Sequence, residues 1–289
     1  MAAKPATAWT VAKGQQASQA PSPAEAPAAL PTVAFKKLSS EDPLKYLKIA
    51  VTGRPKTGKS RFALSCPGPV YVIETEPGLP PLAKLFPDKE IYFVDVYEPD
   101  YTGVFEVDAS KTLAKIDASV RLIRDLIRAD PKSVGTVVLD SVTDIWKWVM
   151  EWMKLEILKI DRTARVRQQW DYGYANTKYQ NIIMQIIALP VHVVLTAQEK
   201  EEYASAGQPS GQYEPSWMWQ TPQWVDVELS LLKLMTRATA DAKPTYKCVV
   251  KNSRHSDDDA NPIDGKDLEN PTFEKVRDLI KSKKEKPNV

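Results

Sequence analysis

Residues 53 to 60 read Gly-Arg-Pro-Lys-Thr-Gly-Lys-Ser, an octapeptide framed by glycine and closed by a cation and a hydroxyl. It follows the apolar run Tyr46-Leu47-Lys48-Ile49-Ala50-Val51 and precedes Arg61-Phe62-Ala63-Leu64, which can open a helix. A glycine-rich turn between a buried strand and a helix gathers backbone N–H groups and the positive end of a helix dipole around one point. That geometry suits an anion, and the spacing G-x-x-x-x-G-K-S is that of a phosphate cradle. Gly53, Arg54, Pro55, Lys56, Thr57, Gly58, Lys59 and Ser60 are therefore the candidate phosphate-binding set. Within it, Lys59 is placed to reach β- and γ-phosphates and the Ser60 hydroxyl to take a position on Mg²⁺. The motif predicts a nucleoside triphosphate ligand and demands a sheet edge on which to sit.

The rest of the chain is compatible with one α/β domain. Of 289 residues, the first 35 hold twelve Ala and five Pro with few large apolar side chains. Such a segment buries too little surface to offset its chain entropy, so 1–43 reads as a disordered Ala/Pro-rich tail. No basic start followed by an apolar core marks it as a secretory signal. Residues 44–280 have ordinary globular composition, and 281–289 form a basic tail with Lys281, Lys283, Lys284 and Lys286. The net charge of +2 excludes a global basic field, so any nucleic-acid contact has to come from a local patch. Cys66, Cys248, His192 and His255 show no metal-ligand spacing, and two cysteines make no disulfide framework. No apolar run is long enough to span a bilayer, so no membrane role is expected. A reducing cytoplasm is the expected setting, a host's if the chain is phage-encoded.

Along the domain, Pro69-Val70-Tyr71-Val72-Ile73 and Ile91 to Val96 read as short buried strands. Leu113, Ile116, Val120, Ile123 and Ile127 recur at helical steps and stop before Pro131. Thr136-Val137-Val138-Leu139 reads as a buried strand. Two helices follow, one with Trp146, Val149, Met153 and Ile157 on a face, the other with Tyr179, Ile182, Ile183 and Ile186. Val191 to Thr196 is a further buried strand. The Gly/Pro/Ser-rich stretch 204 to 216 is too long for a simple turn. Val227 to Leu231 and Thr245 to Val250 look like an antiparallel pair. Strands alternating with helices predict a mainly parallel sheet with helices on both faces and that pair appended.

Carboxylates on this sheet have evident tasks. Asp140 ends a run of four apolar residues, so it emerges beside the phosphate loop and is the candidate second Mg²⁺ ligand. Ile73-Glu74-Thr75-Glu76-Pro77-Gly78 also leaves a buried strand, and either Glu74 or Glu76 can there orient and deprotonate the attacking water.

The order phosphate loop, Ile-Glu-Thr-Glu, Val-Val-Leu-Asp-Ser, Leu-Thr-Ala-Gln and Val-Val-Lys-Asn resembles the RecA-like P-loop ATPase core. It is most similar to the compact phage-encoded RecA-like AAA-domain ATPases of single-strand annealing and recombination. The resemblance covers about 50 to 254. It implies that Glu76 is the catalytic glutamate and that Gln198 senses the γ-phosphate. It further implies that Lys251 reaches a neighbouring subunit's nucleotide in a ring or filament. A second family lysine falls on Ser253, and Arg254 is the candidate substitute. Two loops hold single-stranded DNA in that family. The first corresponds here to Arg162, Arg165, Arg167, Trp170 and Tyr172, cations interleaved with rings as single-strand binding requires. The second holds Tyr203, Tyr213, Trp217 and Trp219 but also Glu199, Glu201, Glu202 and Glu214, whose charge repels phosphates.

The expected function is Mg²⁺-dependent ATP hydrolysis coupled to single-stranded DNA binding, in phage-type recombination or annealing, by a self-associating ATPase. The alternative is an ATP-gated scaffold that barely hydrolyses and recruits a recombination or single-strand-binding protein. A small-molecule kinase ranks third, because the Arg cluster at 162–167 is interleaved with Gln and aromatic residues rather than built as a lid.

Overall fold

The computed structural model describes residues 42, 44–101, 107–161, 163–203, 208–234, 244–256 and 262–282. The tail at 1–41, Arg162, the acidic run Asp257 to Asp259 and the last seven residues lie outside them. The chain opens with strand β1 (Lys48–Gly53), helix α1 (Lys59–Leu64), β2 (Val70–Glu74), β3 (Ile91–Asp95) and α2 (Ala109–Ala129). Next come β4 (Thr136–Asp140), α3 (Val142–Trp152), α4 (Tyr172–Ile187), β5 (His192–Tyr203) and β6 (Pro209–Pro215). It closes with β7 (Val227–Leu234), β8 (Thr245–Ser253), β9 (Asp267–Glu269) and α5 (Phe273–Lys281).

The strands lie in the order β3-β2-β4-β5-β1-β7-β8-β9, with β6 hydrogen-bonded to β5 alone. From β3 to β7 neighbours are parallel, whereas β5/β6, β7/β8 and β8/β9 are antiparallel. Six parallel strands deliver their carboxyl ends to one edge, where crossover connections leave a crevice. Register fixes what meets there. Glu74 pairs with Asp140, Asp140 with Thr196, and Gly53 with Gln198.

The central strands are β-branched and apolar on both sides because helices cover both faces. On one face Ile73, Leu139, Val193 and Leu195 pack against α2, α3 and α4. On the other, Ile49, Val51, Val194 and Leu229 pack against Phe62 of α1 and Phe273, Val276 and Ile280 of α5. Each such fully buried side chain stabilises by about 1.5–3 kcal/mol. α2 is capped by Asp108, whose side chain accepts from the Lys111 N–H, and ends at Ala129, two residues before Pro131, whose ring disfavours helix in the residue ahead of it. Among the described residues no helix is long and apolar enough to cross a membrane.

Four expectations change. β3 is an edge strand rather than a buried one, with Tyr92 49% and Phe93 53% exposed. In α3 the buried face is Val142, Ile145, Trp148 and Val149, and Trp146 is only half-buried. A π-helical turn, Met153–Ile157, follows that helix and turns Ile157 outward. The described part of 204 to 216 is mostly strand, β6 returning antiparallel on β5. Finally, α5 closes the second core with a helix not anticipated from composition. Of the predicted antiparallel pair, the inner strand β7 runs parallel to β1.

Candidate active site

The octapeptide wraps the carboxyl end of β1 and enters α1. Gly53 has φ +151° and Gly58 φ +97°. A Cβ on Gly53 would stand 2.6 Å from both the Leu231 carbonyl oxygen and Thr57 Oγ1. One on Gly58 would stand 3.2 Å from the Tyr246 ring. Gly53 thus needs glycine for space as well as for backbone angle, and Gly58 for backbone angle. Thr57 Oγ1 donates to the Arg54 carbonyl at 2.8 Å and pins the turn. The buried Lys59 ammonium donates to the carbonyls of Gly53 (2.9 Å) and Arg54 (3.1 Å). Burial lowers its pKa, while Asp140, Glu76 and Glu199 oppose that shift. A desolvated cation is thereby held in the mouth of the loop.

Ser60 Oγ donates to Asp140 Oδ2 at 2.6 Å, and the Thr196 hydroxyl donates to Asp140 Oδ1. A carboxylate and a hydroxyl beside a phosphate cradle fit Mg²⁺, which takes one or two protein oxygens and completes its shell with phosphates and water. Among the described residues no group of three or more His, Cys, Asp or Glu forms a separate metal cluster.

The two glutamates left open by the sequence differ in what they do. Glu74 is buried, and its Oε1 accepts from the N–H groups of Gly78 (2.7 Å) and Leu79 (2.9 Å). It holds the turn after β2. Glu76 lies beyond that turn and accepts from Gln198 Nε2 at 2.6 Å. The Gln198 backbone N–H donates to Thr143 Oγ1 at 2.9 Å. Partial burial first, then a hydrogen bond to Asp144 and the charges of Asp144 and Asp140, push Glu76 up to about 7, with Lys147 opposing. As a residue Glu76 is exposed, so water weakens the burial contribution. Asp144 and Thr196 escaped the sequence reading. Thr196 lies in the Leu-Thr-Ala-Gln string quoted for Gln198 but was given no role, and Asp144 lies outside every quoted string.

Next to the loop opens a cavity of about 390 Å³ whose walls include Lys59, Ser60, Leu82, Leu85, Lys233 and Tyr246. Tyr246 is backed by Gly58 and carries the Arg61 guanidinium 5.7 Å from its ring centroid. An aromatic face beside a phosphate site suits a nucleobase. Tyr246→Ala is expected to weaken ATP binding about tenfold and to leave tripolyphosphate binding unchanged, as read by calorimetry.

Other candidates fall farther out. Lys251 is exposed on β8 and lines a second cavity of about 530 Å³ with Arg54, Glu199 and Tyr213. Arg254 is not free for a nucleotide. It pairs with Asp226 at 3.4 Å and donates to the Gln223 carbonyl at the opposite sheet edge, where Asp226 also holds Lys48 N. Arg165 and Arg167 are exposed and Trp170 is 73% exposed, on the connection from α3 to α4. The Ser110–Glu156 hydrogen bond (3.1 Å) ties the start of that connection to the start of α2, on the phosphate side. On the hairpin Tyr203 closes β5, and Tyr213 lies 4.7 Å beneath the Arg54 guanidinium. Trp217 is packed half-buried against the core, so it offers no free ring, whereas Trp219 is 69% exposed.

A glycine-framed loop between strand and helix, on a mainly parallel sheet with helices on both faces, defines a P-loop NTPase, a nucleotide-binding protein. A family model described as an AAA domain matches residues 45–260. The chain belongs to that AAA-domain family. A comparison with curated proteins gives no match.

Proposed function

We propose that this protein is a Mg²⁺-dependent ATPase that couples hydrolysis to single-stranded DNA binding, as a RecA-like protein of phage-type recombination or annealing. The observation that carries the reading is the 2.6 Å contact between Glu76 and Gln198. Gln198 lies within β5, the strand that continues into the β5–β6 hairpin. One strand therefore joins the phosphate side of the site to an exposed aromatic hairpin. Arg54 over Tyr213 supplies a second link between loop and hairpin.

In the proposed mechanism the backbone of Gly53 to Gly58 and the Lys59 ammonium grip the phosphates. Ser60 and Asp140 would hold Mg²⁺, which when bound neutralises charge on the β- and γ-phosphates. Glu76 orients the attacking water and takes its proton. Gln198 registers the γ-phosphate and passes its state along β5. Lys251 acts on a neighbour's nucleotide across a subunit interface, since Arg254 is already engaged by Asp226. Arg165, Arg167 and Trp170 contribute phosphate and base contacts to the strand.

The acidic hairpin supports a second reading. Glu201 and Glu214 are exposed on it or part-exposed, and Lys200 is spent on Glu214 at 3.1 Å. Such a surface suits a protein partner, in an ATP-gated scaffold with little turnover. ATPase rates titrated with single- and double-stranded DNA, across protein concentrations, separate the two. Stimulation by single strands that grows with protein concentration and vanishes in Lys59→Ala is the expected result. Negligible turnover with intact ATP affinity would establish the scaffold instead.

A further inference from the structure

We infer that the trough between the C-terminal halves of α2 and α4 is a docking site for an acidic peptide segment that carries apolar side chains. The trough is a cavity of about 800 Å³ with Ile127, Met184, Leu189 and Pro190 on its floor. Ile127 and Leu189 are rooted in the core, whereas Met184 is 39% exposed. A flexible thioether at the surface of an apolar floor can pack against apolar anchors of different shape.

The α2 wall of the trough is basic. Arg121, Arg124 and Arg128 stand at i, i+3 and i+7, a spacing that puts them on one helical face, and the last two line the cavity. Among the described residues no carboxylate lines it. Asp125 pairs with Arg128 at 3.5 Å, but the two side chains are 72% and 70% exposed, so the pair is weak and readily exchanged. Arg124 is half-buried and donates to Gln185 Oε1 across the trough at 3.2 Å. Neither Arg121 nor Arg124 has an ion pair among the described residues. A cation in the last turn answers the helix dipole, which accounts for Arg128. Arg121 and Arg124 lie more than a turn before the end at Ala129, where that effect has faded.

Guanidinium groups take carboxylates in a bidentate fork, and the floor takes the apolar side chains between them. A phosphodiester backbone would match the cations but leave the floor without a partner. Leu189 and Pro190 lead into the amino end of β5, whereas Gln198 and the phosphate loop lie toward its carboxyl end. The trough is therefore remote from the nucleotide site, and its occupant needs neither ATP nor hydrolysis.

The probe is a pool of fluorescein-labelled short peptides in which Asp or Glu alternates with Leu or Phe, added to the full chain and read by polarization. Saturable binding that weakens as ionic strength rises is the expected result. Arg124→Glu should weaken it about tenfold or more, because the attraction becomes a repulsion, and Met184→Asp should do the same by charging the floor. Arg128→Glu, at the surface, stands in if either variant lowers Tm. Lys59→Ala should leave peptide binding unchanged, so this inference and the nucleotide reading fail separately. Absence of saturable binding, or binding indifferent to all three substitutions, would overturn the inference. So would equal affinity for peptides with Ser in place of Leu and Phe. If the arginine substitution abolishes binding of a labelled single-stranded oligonucleotide and leaves the peptides unaffected, the trough belongs to nucleic acid instead. If it changes the sedimentation of the unliganded chain while no peptide binds, the occupant is a second copy.

Discussion

Glu76→Gln is expected to slow ATP hydrolysis by about 10²–10⁴-fold, the usual contribution of a positioned general base. ATP affinity should be nearly unchanged. The amide keeps the size of the carboxyl, and the hydrogen bond from Gln198 can be retained, because its acceptor oxygen remains. No hydrogen bond of the phosphate grip involves Glu76, since Lys59 is set by the Gly53 and Arg54 carbonyls. Equilibrium binding together with single-turnover rates checks both halves. A matching loss in Glu74→Gln would show instead that the two glutamates have been assigned the wrong way round. The geometry predicts a different defect for Glu74, a loosened turn at Gly78 and Leu79.

The second large effect is structural. Gly53→Ala places a methyl 2.6 Å from a backbone oxygen of β7 and from Thr57 Oγ1 at a φ of +151°. The Thr57 hydroxyl can rotate away, but the Leu231 carbonyl belongs to a central strand and cannot. Strain and overpacking together should cost about 2–4 kcal/mol, or a Tm lower by roughly 5–15 °C for a domain of this size. The same displacement opens the cradle, so ATP affinity should fall along with Tm. Thermal melts with and without ATP distinguish this from a purely catalytic defect. An unchanged Tm would contradict the close approach of the loop to β7.

How much of this could be read from the chain depends on how local each cause is. β1, β4 and the buried half of β5 are continuous β-branched runs, and α2 carries an uninterrupted helical stripe ending at Pro131. Those are local patterns, and they were legible. Ile91 to Val96 has the same composition as a buried strand, yet sheet order leaves it at an edge, and composition carries no information on order. Of the face read on α3, Val149 and Met153 are buried, whereas Ile157 turns outward because the π-helical turn after Trp152 shifts the phase of later residues. The β6 hairpin was hidden by Pro, Ser and Gly, residues that a short twisted ribbon tolerates better than a central strand. At the site, Ser60 and Asp140 were legible because motif and strand end mark them. The residues alone left Glu74 and Glu76 open, since both leave the same strand, and only the resemblance pointed to Glu76. The structure adds that the turn at Gly78 and Leu79 consumes the Glu74 carboxylate. Trp217 looked like a stacking residue because a sequence does not say which of two neighbouring tryptophans the core claims.

Strand β5 is twelve residues long, with its first half in the core and its second half hydrogen-bonded to β6. Gln198 is near the midpoint, where Gly53 is its register partner. The hairpin and Gln198 are therefore joined by one continuous backbone. By linkage, any factor by which ATP alters the hairpin's grip on a ligand is also the factor by which that ligand alters the grip on ATP. Titrating ATP at fixed hairpin ligand, and the reverse, would give the same ratio of affinities.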